Sequence, residues 1–384
     1  MGAELTFYEF FAGGGMARLG LGEDWTCLVV NEWSAVKAES YRARFGDKPG
    51  PLVQDVATLT TKDLPGQADL AWASFPCQDL SLAGQGAGLA GQRSGTFKPF
   101  WRLISELRRE GRAPKLVALE NVVGTLSSHG GKDFAFIMSA LADEGYVGGA
   151  LVIDAADFLP QSRPRLFIVG AQKRLPGVEI LAQRAPHPRW HPPALLKAFE
   201  GLAPEAMDSW LWWHLPDPPP RRYDLAAILE EEPPSFLWHS PEETARLLSL
   251  MDPRHLERIR KAKRLGKRIV GTLYRRTRPD PESGVRRQRA EVRFDGVAGC
   301  LRTPAGGSSR QVVVVVDGNE VRTRLLSARE TARLMGVPDD YPLPQRYNEA
   351  YHLFGDGVAV PVVSWLSTHL LQPLLRRQEE VAAA

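Results

Sequence analysis

Leu5-Thr6-Phe7-Tyr8-Glu9-Phe10-Phe11-Ala12-Gly13-Gly14-Gly15 is an apolar run that ends in three glycines. It reads as a strand over Leu5–Phe11, and a helical pattern follows. Glycines at such a turn let the backbone bend tightly and approach a ligand where a Cβ would collide. The stretch meets neither standard nucleotide fingerprint. Gly13-Gly14-Gly15 is followed by Met16-Ala17-Arg18, which breaks the Gly-x-Gly-x-x-Gly spacing, and no Gly-Lys-Ser/Thr occurs.

Further strands are expected at Thr26–Asn31, Leu70–Ser74, Leu116–Glu120, Gly148–Ile153 and Leu166–Gly170. Helical patterns at Ala35–Arg44, Phe100–Arg109 and Asp133–Glu144 separate them. Strands alternating with helices predict an α/β, Rossmann-like doubly wound sheet, which binds ligands at the carboxyl ends of its strands. From about Gln172 prolines crowd the chain, with Trp210, Trp212 and Trp213 among them. That region reads as a smaller, irregular inserted domain. It includes a long helix over Pro241–Lys267 and one β-branched strand over Gln311–Val316. Ser327-Ala328-Arg329-Glu330 resembles a capping box that opens a helix through Met335, and a last helix is expected over Val360–Leu371. The predicted division is 1–171, 172–323 and 324–384, the last piece returning to the first domain.

The chain has 384 residues, with 43% hydrophobic and 24% charged residues, ordinary values for a soluble globular protein. No run of about 18 wholly apolar residues and no basic-then-apolar leader is seen, so no membrane is expected and the protein is read as cytoplasmic. Cys27, Cys77 and Cys300 are too scattered for a disulfide framework, and neither they nor the eight histidines show metal-ligand spacing. The net charge of +3 hides an asymmetry. Residues 200–250 hold ten acids and three bases, whereas 251–300 hold fifteen Lys/Arg and six acids. A basic block in a nearly neutral chain points to a polyanion contact; its plain alternative is a solvated helix face.

The second strand ends Asn31-Glu32-Trp33. Glu32 can accept bonds from two ribose hydroxyls or cap the next helix. Trp33 can lie against a purine or fill core. Asp55, at the next strand end, can accept from an adenine amino group or close a turn. Glycine loop, acid, aromatic and second acid in this order favour an adenosine-containing cofactor. Ser74-Phe75-Pro76-Cys77-Gln78 puts a thiol at a strand end, followed by a long glycine-rich loop that is a candidate lid. Glu120-Asn121-Val122 puts a carboxylate at another, and Gln161-Ser162-Arg163-Pro164-Arg165 supplies cations that lower a thiol pKa. An isolated cysteine of this kind is otherwise a small core residue.

Taken in order, these elements resemble the DNA cytosine-5 methyltransferase family, of the bacterial modification type. Glu9–Gly15 looks like the cofactor loop, Asn31-Glu32-Trp33 the ribose and adenine element, and Asp55-Val56 the third cofactor contact. Phe75–Gln78 looks like the nucleophile motif, Glu120–Val122 the acid motif, and Gln161-x-Arg163-x-Arg165 the arginine motif. Arg329–Pro338 resembles the motif after the target-recognition region, and Gly355–Val358 the segment closing the cofactor pocket. The resemblance implies S-adenosyl-L-methionine as cofactor, held by Phe11, Ala12, Gly13, Gly15, Glu32, Trp33, Asp55, Val56, Pro76, Phe97, Asp356 and Val358, with S-adenosyl-L-homocysteine as product.

It implies Cys77, Glu120, Arg163 and Arg165 as catalytic. Cys77 adds to C6 of a flipped-out cytosine, Glu120 engages N3 and the amino group, Arg165 holds O2, and Arg163 steadies loop and acid. Double-stranded DNA is the implied partner, contacted by Gln78, Ser81, Arg93, Arg275, Arg276, Arg287, Arg289 and Arg310. Arg278 and Arg286 are further candidates among which base readers and phosphate clamps are not separated. A monomer is implied, in some cases accompanied by a cognate restriction endonuclease without stable complex. Two positions depart from the family pattern. Met16 stands where glycine is usual and is read as a flexible cover for the cofactor; Asp356 stands where asparagine is usual and loses a hydrogen-bond donor. Three rivals stand beside this reading: an RNA cytosine-5 methyltransferase of the same fold, a catalytically silent sequence-specific DNA-binding protein, and a nicotinamide oxidoreductase. The last explains the loop and Glu32 but not the remaining motifs.

Overall fold

The computed structural model describes residues 4–76, 94–279, 284–303 and 310–376. Six strands form one mixed sheet: β1 (Leu5–Phe10), β2 (Trp25–Asn31), β3 (Leu70–Ala73), β4 (Leu116–Val122), β5 (Tyr146–Asp154) and β6 (Pro164–Gln172). Their spatial order is β2-β1-β3-β4-β6-β5. β1 pairs in parallel with β2 and β3, and β3 with β4. β6 runs antiparallel to both β4 and β5. The physical reason is the short link between β5 and β6, residues 155–163, because a parallel return needs a crossover of about a dozen residues or more. Every residue of β3 is buried, as expected of a strand covered on both faces.

Helices α1 (Met16–Leu21), α2 (Ala35–Phe45), α3 (Phe97–Arg109) and α4 (Lys132–Asp143) alternate with the strands. α3 buries Phe97, Phe100, Trp101, Ile104 and Leu107, a helical stripe of spacing three and four that faces the core. From β1 the chain goes out to β2 and comes back to β3 on the other side of β1. The sheet therefore switches direction beside β1, and a ligand crevice is expected at the carboxyl end there. The glycine turn leaves β1 at this end.

The chain divides into two compact units. The first comprises Met1–Asp154, Pro164–Pro218 and Val358–Ala384; the second comprises Ala155–Arg163 and Pro219–Gly357. The sequence reading begins the inserted domain at 172 and ends it at 323, whereas by compactness residues up to Pro218 lie with the first unit and residues up to Gly357 with the second. In the first unit the tryptophan-rich stretch packs on the sheet: the Leu211 N–H donates to the Gly148 carbonyl at 2.8 Å, and Trp213 Nε1 to the Val169 carbonyl at 3.0 Å. Helix Val360–Leu366 lies so close to α1 that a Cβ on Gly20 would stand 2.4 Å from Val363 Cβ.

The second unit is more regular than its prolines suggest. Strands Ile269–Pro279, Arg286–Arg293, Val312–Asp317 and Glu320–Leu325 form an antiparallel sheet in which Ile269–Pro279 lies between Arg286–Arg293 and Val312–Asp317. The first two escape the sequence reading because arginines occupy much of their length. The single helix expected over Pro241–Lys267 is in fact two, Pro241–Ser249 and Pro253–Arg264. Asp252 caps the second by accepting the His255 N–H at 3.1 Å, and Pro253, which lacks an N–H, takes its first turn. Ile259 and Ala262 pack with Leu273, Ala290, Val292 and Val314 on one sheet face. The capping box is formed: Ser327 Oγ accepts the Glu330 N–H at 3.1 Å, and Glu330 Oε2 accepts the Ser327 N–H at 2.8 Å.

One helical stretch among the described residues, Tyr347–Arg376, is long and apolar enough by composition to cross a membrane, with mean hydropathy 1.4 over its most apolar window. Many of its apolar side chains, including Leu353, Phe354, Val363, Leu366, Leu370 and Leu374, are buried in the protein.

Candidate active site

The glycine turn is built on an unusual backbone. Phe11 has φ 58°, Gly13 57° and Gly15 76°. A left-handed phenylalanine costs on the order of 1–3 kcal/mol, and such strain gathers at ligand sites. Phe11, Ala12 and Gly13 keep part of their surface exposed, which leaves them able to touch a ligand. Gly15 is different. A Cβ there would stand 2.4 Å from Phe45 Cε2 and 2.8 Å from Tyr41 Cε2, so packing of α2 on the turn demands the glycine. Met16 is 2% exposed and belongs to the core, so the expected flexible cover is not present.

Glu32 is buried and ties the turn to the next element. Its Oε2 accepts the Gly13 N–H at 2.8 Å, and its Oε1 accepts the Ser34 N–H at 2.8 Å. Each carboxylate oxygen keeps a second lone pair for a ligand hydroxyl. Trp33 beside it is 72% exposed, so it does not fill core. Asn31 Nδ2 donates to the carbonyls of Leu52 and Gln54 at 3.1 and 2.9 Å. This fixes the segment leading to Asp55 and Val56 next to the end of β2. Asp55 is exposed and its carboxylate accepts the Ala57 N–H at 2.9 Å, while Val56 is buried. A buried carboxylate, an exposed indole and a half-exposed glycine turn at one sheet end suit the ribose, ring and chain of an adenosine-type group.

Glu9, in the middle of this region, is a residue whose weight the sequence did not disclose. It is 1% exposed, accepts the Tyr41 hydroxyl at 3.2 Å and takes the Arg18 N–H at 3.4 Å. Burial pushes its carboxyl up to about 7. The visible signal was an acid inside an otherwise apolar strand.

The second cluster lies at the ends of β3, β4 and β6. Glu120 is 6% exposed, and Arg165 Nε stands 3.2 Å from Glu120 Oε1. In the β4–β6 ladder Arg165 faces Val122. Glu120, two residues away, therefore shares its sheet face as a diagonal neighbour. Asn121 Nδ2 donates to the Phe75 carbonyl at 3.4 Å, which links the acid strand to the residues that lead toward Cys77. Pro76 is exposed. Cys77, Gln78, Ser81 and Arg93 lie outside the described residues. Phe97 has no exposed surface and stacks on Trp101 with ring centres 5.6 Å apart.

The arginine motif divides between the two units. Arg163 belongs to the second and is 2% exposed. Its Nη1 donates to the Leu301 carbonyl at 3.0 Å, and its Nη2 to the carbonyls of Gly355 and Gly357 at 2.8 and 2.6 Å. Gln161 adds to this, donating to the Leu334 carbonyl at 2.6 Å and accepting the Leu301 N–H at 3.0 Å. Asp356 accepts the Thr303 hydroxyl. Val358, in the first unit, is buried. Arg275, Arg276, Arg287 and Arg289 all lie on the two arginine-rich strands. Arg310 instead sits over the rings of Tyr347 and Tyr351, at 5.4 and 5.6 Å, and donates to Asn348.

Among the described residues no group of three or more His, Cys, Asp or Glu is arranged to hold a metal ion.

A family model described as C-5 cytosine-specific DNA methylase matches residues 5–372. Among curated relatives, the chain is 28% identical to the Type II methyltransferase M.BsuFI of Bacillus subtilis over 99% of this chain and 76% of that protein. It is 27% identical to the Type II methyltransferase M.HhaI of Haemophilus parahaemolyticus over 95% of this chain and 94% of that one. Among solved structures, S. pombe Dnmt2 methyltransferase covers 96% of the chain, and 99% of its own length is matched, with TM-score 0.62 and 18% identity. The Entamoeba histolytica methyltransferase EhMeth matches over 97% of this chain and 99% of its own, with TM-score 0.66 and 13% identity. Both structural likenesses bear on the fold.

Proposed function

Since the chain belongs to the C-5 cytosine-specific DNA methylase family and is a DNA cytosine-5 methyltransferase, we propose that it methylates a cytosine flipped out of a specific duplex sequence, through a covalent bond between Cys77 and C6. The observation that carries this reading is the Glu120–Arg165 pair at 3.2 Å, on strand ends joined through Asn121 to the backbone just before Cys77.

C5 of cytosine is a poor nucleophile while the ring is aromatic. Attack of the Cys77 thiolate on C6 forms a C–S bond and pushes the ring electrons toward C5 and N3. Glu120 protonates or hydrogen-bonds N3 as negative charge gathers there. Arg165 neutralises charge at O2 and orients Glu120. The residues of the glycine turn would hold S-adenosyl-L-methionine, whose sulfonium would supply the electrophilic methyl group for C5, with S-adenosyl-L-homocysteine as the released thioether. Loss of the C5 proton then returns the electron pair, the C–S bond breaks and aromaticity is restored.

Glu32, Gly13 and the exposed face of Trp33 are the residues that fit the adenosine part, with Phe11, Ala12, Asp55 and Val56 at the same sheet end. Arg163 acts as a positioning residue, holding the 301 and 355–357 backbone through its carbonyl contacts. A stacked base cannot reach a buried acid such as Glu120, so the target must leave the helix. The second unit, with its basic strands, takes the duplex. The protein works as a monomer on the DNA of a prokaryotic cytoplasm, and a cognate endonuclease, where present, reads the same site without a stable complex.

The test uses duplex DNA carrying 5-fluorocytosine at the methylated position, whose C5 fluorine cannot leave as a proton. A denaturation-resistant complex is expected with the wild type and not with Cys77→Ser. Labelled methyl transfer to RNA but to no duplex DNA would overturn the duplex reading in favour of an RNA substrate.

A further inference from the structure

Glu9 stands inside β1, between Tyr8 and Phe10, and faces Val30 and Trp72 on the neighbouring strands. An apolar side chain at such a place costs less to bury than a carboxyl group. What the carboxyl group does there is visible in its contacts. Its Oε2 accepts the Tyr41 hydroxyl of α2 at 3.2 Å, and its Oε1 accepts the Arg18 N–H of α1 at 3.4 Å. Arg18 Nη1 donates to the Tyr41 oxygen at 3.0 Å. These bonds close one strand and two helices into a ring.

The ring brackets the glycine turn. Glu9 lies just before Phe11, and Arg18 lies in the first helix after Gly15. The Tyr41 ring fills the space beside Gly15, where a Cβ would stand 2.8 Å from Tyr41 Cε2. Tyr41 packs on Phe45 with ring centres 4.7 Å apart, and the Arg18 guanidinium lies over Phe45 at 4.4 Å. Gly15 gives α1 no side-chain cap, so Glu9 supplies an acceptor for one of the free N–H groups of its first turn. Phe11 keeps its left-handed φ of 58°, a strained state that persists only where the surroundings over-determine it. Glu32 holds the Gly13 N–H in the middle of the turn, and the Glu9 ring ties the two ends.

We propose that Glu9, acting through Tyr41 and Arg18, is a positioning residue that keeps the glycine turn in its cofactor-binding shape and so sets the affinity for S-adenosyl-L-methionine and S-adenosyl-L-homocysteine. It does this from within the core, being 1% exposed. The proposal rests on the reading that the glycine turn holds this cofactor. A turn that keeps its binding shape only a tenth of the time weakens binding about tenfold. The ionisable groups that bear on Glu9 are Arg18, Tyr41 and Glu32, and Cys27 Sγ lies 3.9 Å from the Tyr41 hydroxyl. When Glu9 is neutral its proton can go to the Tyr41 oxygen, whose own proton then turns to Cys27. A glutamine at this position reproduces that pattern, its oxygen accepting the Arg18 N–H and its amide meeting the Tyr41 oxygen.

The experiment titrates S-adenosyl-L-homocysteine into the full chain by calorimetry at pH 6, where the stoichiometry counts folded molecules and Kd reports the turn within them. Glu9→Leu is expected to raise Kd about tenfold at unchanged stoichiometry. A residue that merely supports the fold would lower the stoichiometry and leave Kd as it is. Tyr41→Phe keeps the ring beside Gly15 and removes only the hydroxyl, and is expected to raise Kd about threefold to tenfold. Because both changes break the same ring, Glu9→Leu/Tyr41→Phe is expected to bind no more weakly than Glu9→Leu alone. Glu9→Gln is expected to restore Kd to within a few-fold of the wild type. In methyl transfer the loss is expected in KM for S-adenosyl-L-methionine rather than in kcat, since Glu9 touches no reacting atom. An unchanged Kd in Glu9→Leu, losses that multiply in the double variant, or a Glu9→Gln as weak as Glu9→Leu overturns the proposal. If Glu9→Leu does not fold, an unchanged Kd in Tyr41→Phe overturns it. A wild type that binds neither cofactor nor product overturns this proposal together with the cofactor reading, whereas a wild type that binds, with variants that bind equally well, overturns this proposal alone.

Discussion

Arg165 Nε stands 3.2 Å from Glu120 Oε1, with both side chains largely shielded from water. In such surroundings the guanidinium keeps the acid in one orientation. Glu120→Gln cannot deliver a proton, and Arg165→Ala frees the acid. Each is expected to lower kcat for methyl transfer by about 10²-fold or more, the usual scale of general acid catalysis. Binding of S-adenosyl-L-homocysteine is expected to stay within a few-fold, since neither residue belongs to the glycine turn. Single-turnover transfer of labelled methyl, with parallel calorimetry of the product, checks both halves. A variant that retains near-normal kcat would remove Glu120 from the chemistry.

The Glu32 carboxylate joins two backbone donors, Gly13 and Ser34. Glu32→Gln replaces one acceptor oxygen with a donor, which then meets an N–H. A hydrogen bond to a charged group contributes about 1.5–3 kcal/mol, so affinity for S-adenosyl-L-homocysteine is expected to fall roughly tenfold to a hundredfold. Isothermal titration measures it, and unchanged affinity would show that the turn holds its shape without this clamp.

Glu9 makes stability depend on pH. Its carboxyl lies at about 7 in the fold against an ordinary 4.5, chiefly because burial penalises the charge. The Tyr41 hydroxyl and Arg18 oppose that shift, while Glu32 adds to it, and Cys27 lies against the same Tyr41. A group with a raised folded-state pKa stabilises fully below its unfolded value, and that contribution is lost as pH rises through the folded value. The window is thus pH 4.5 to 7, over which about 3 kcal/mol disappears. Glu9→Gln is expected to match the wild type near pH 4.5 and to exceed it in thermal midpoint at pH 8. Melting curves that stay parallel for the two proteins across that range would refute the assignment.

Arg324 and Glu330 form a bidentate pair, both bonds 2.7 Å, with 2% and 0% exposure. Glu330 is also the reciprocal member of the capping box at Ser327. Arg324→Met leaves that carboxylate buried without its cation, a change that costs about 3–5 kcal/mol. Urea unfolding measures it. The double variant Arg324→Met/Glu330→Leu is expected to recover part of the loss, because no buried charge is left behind, although the cap is then weakened.

Much of the first unit is legible in the order of its amino acids. β1 to β6 stand where apolar runs bounded by turn residues put them, because burial on both faces leaves a continuous hydrophobic signature. Other features are not legible there. The break at Asp252-Pro253 lies within a helical periodicity that continues on both sides. Strands 269–279 and 286–293 read as charge rather than as a sheet, since their exposed positions carry arginine where a strand pattern needs only some polar residue.

The sequence by itself determined the motif order, the sheet that displays it and the residues proposed to react, because each motif is local and its spacing is set by one strand and one turn. Tertiary structure decided which partners those groups have. Gln161-x-Arg163-x-Arg165 looks like one motif, yet the two terminal nitrogens of Arg163 are held by carbonyls of Leu301, Gly355 and Gly357, and Arg165 pairs with Glu120. Main-chain carbonyls carry no residue identity, so nothing in the sequence names them as partners.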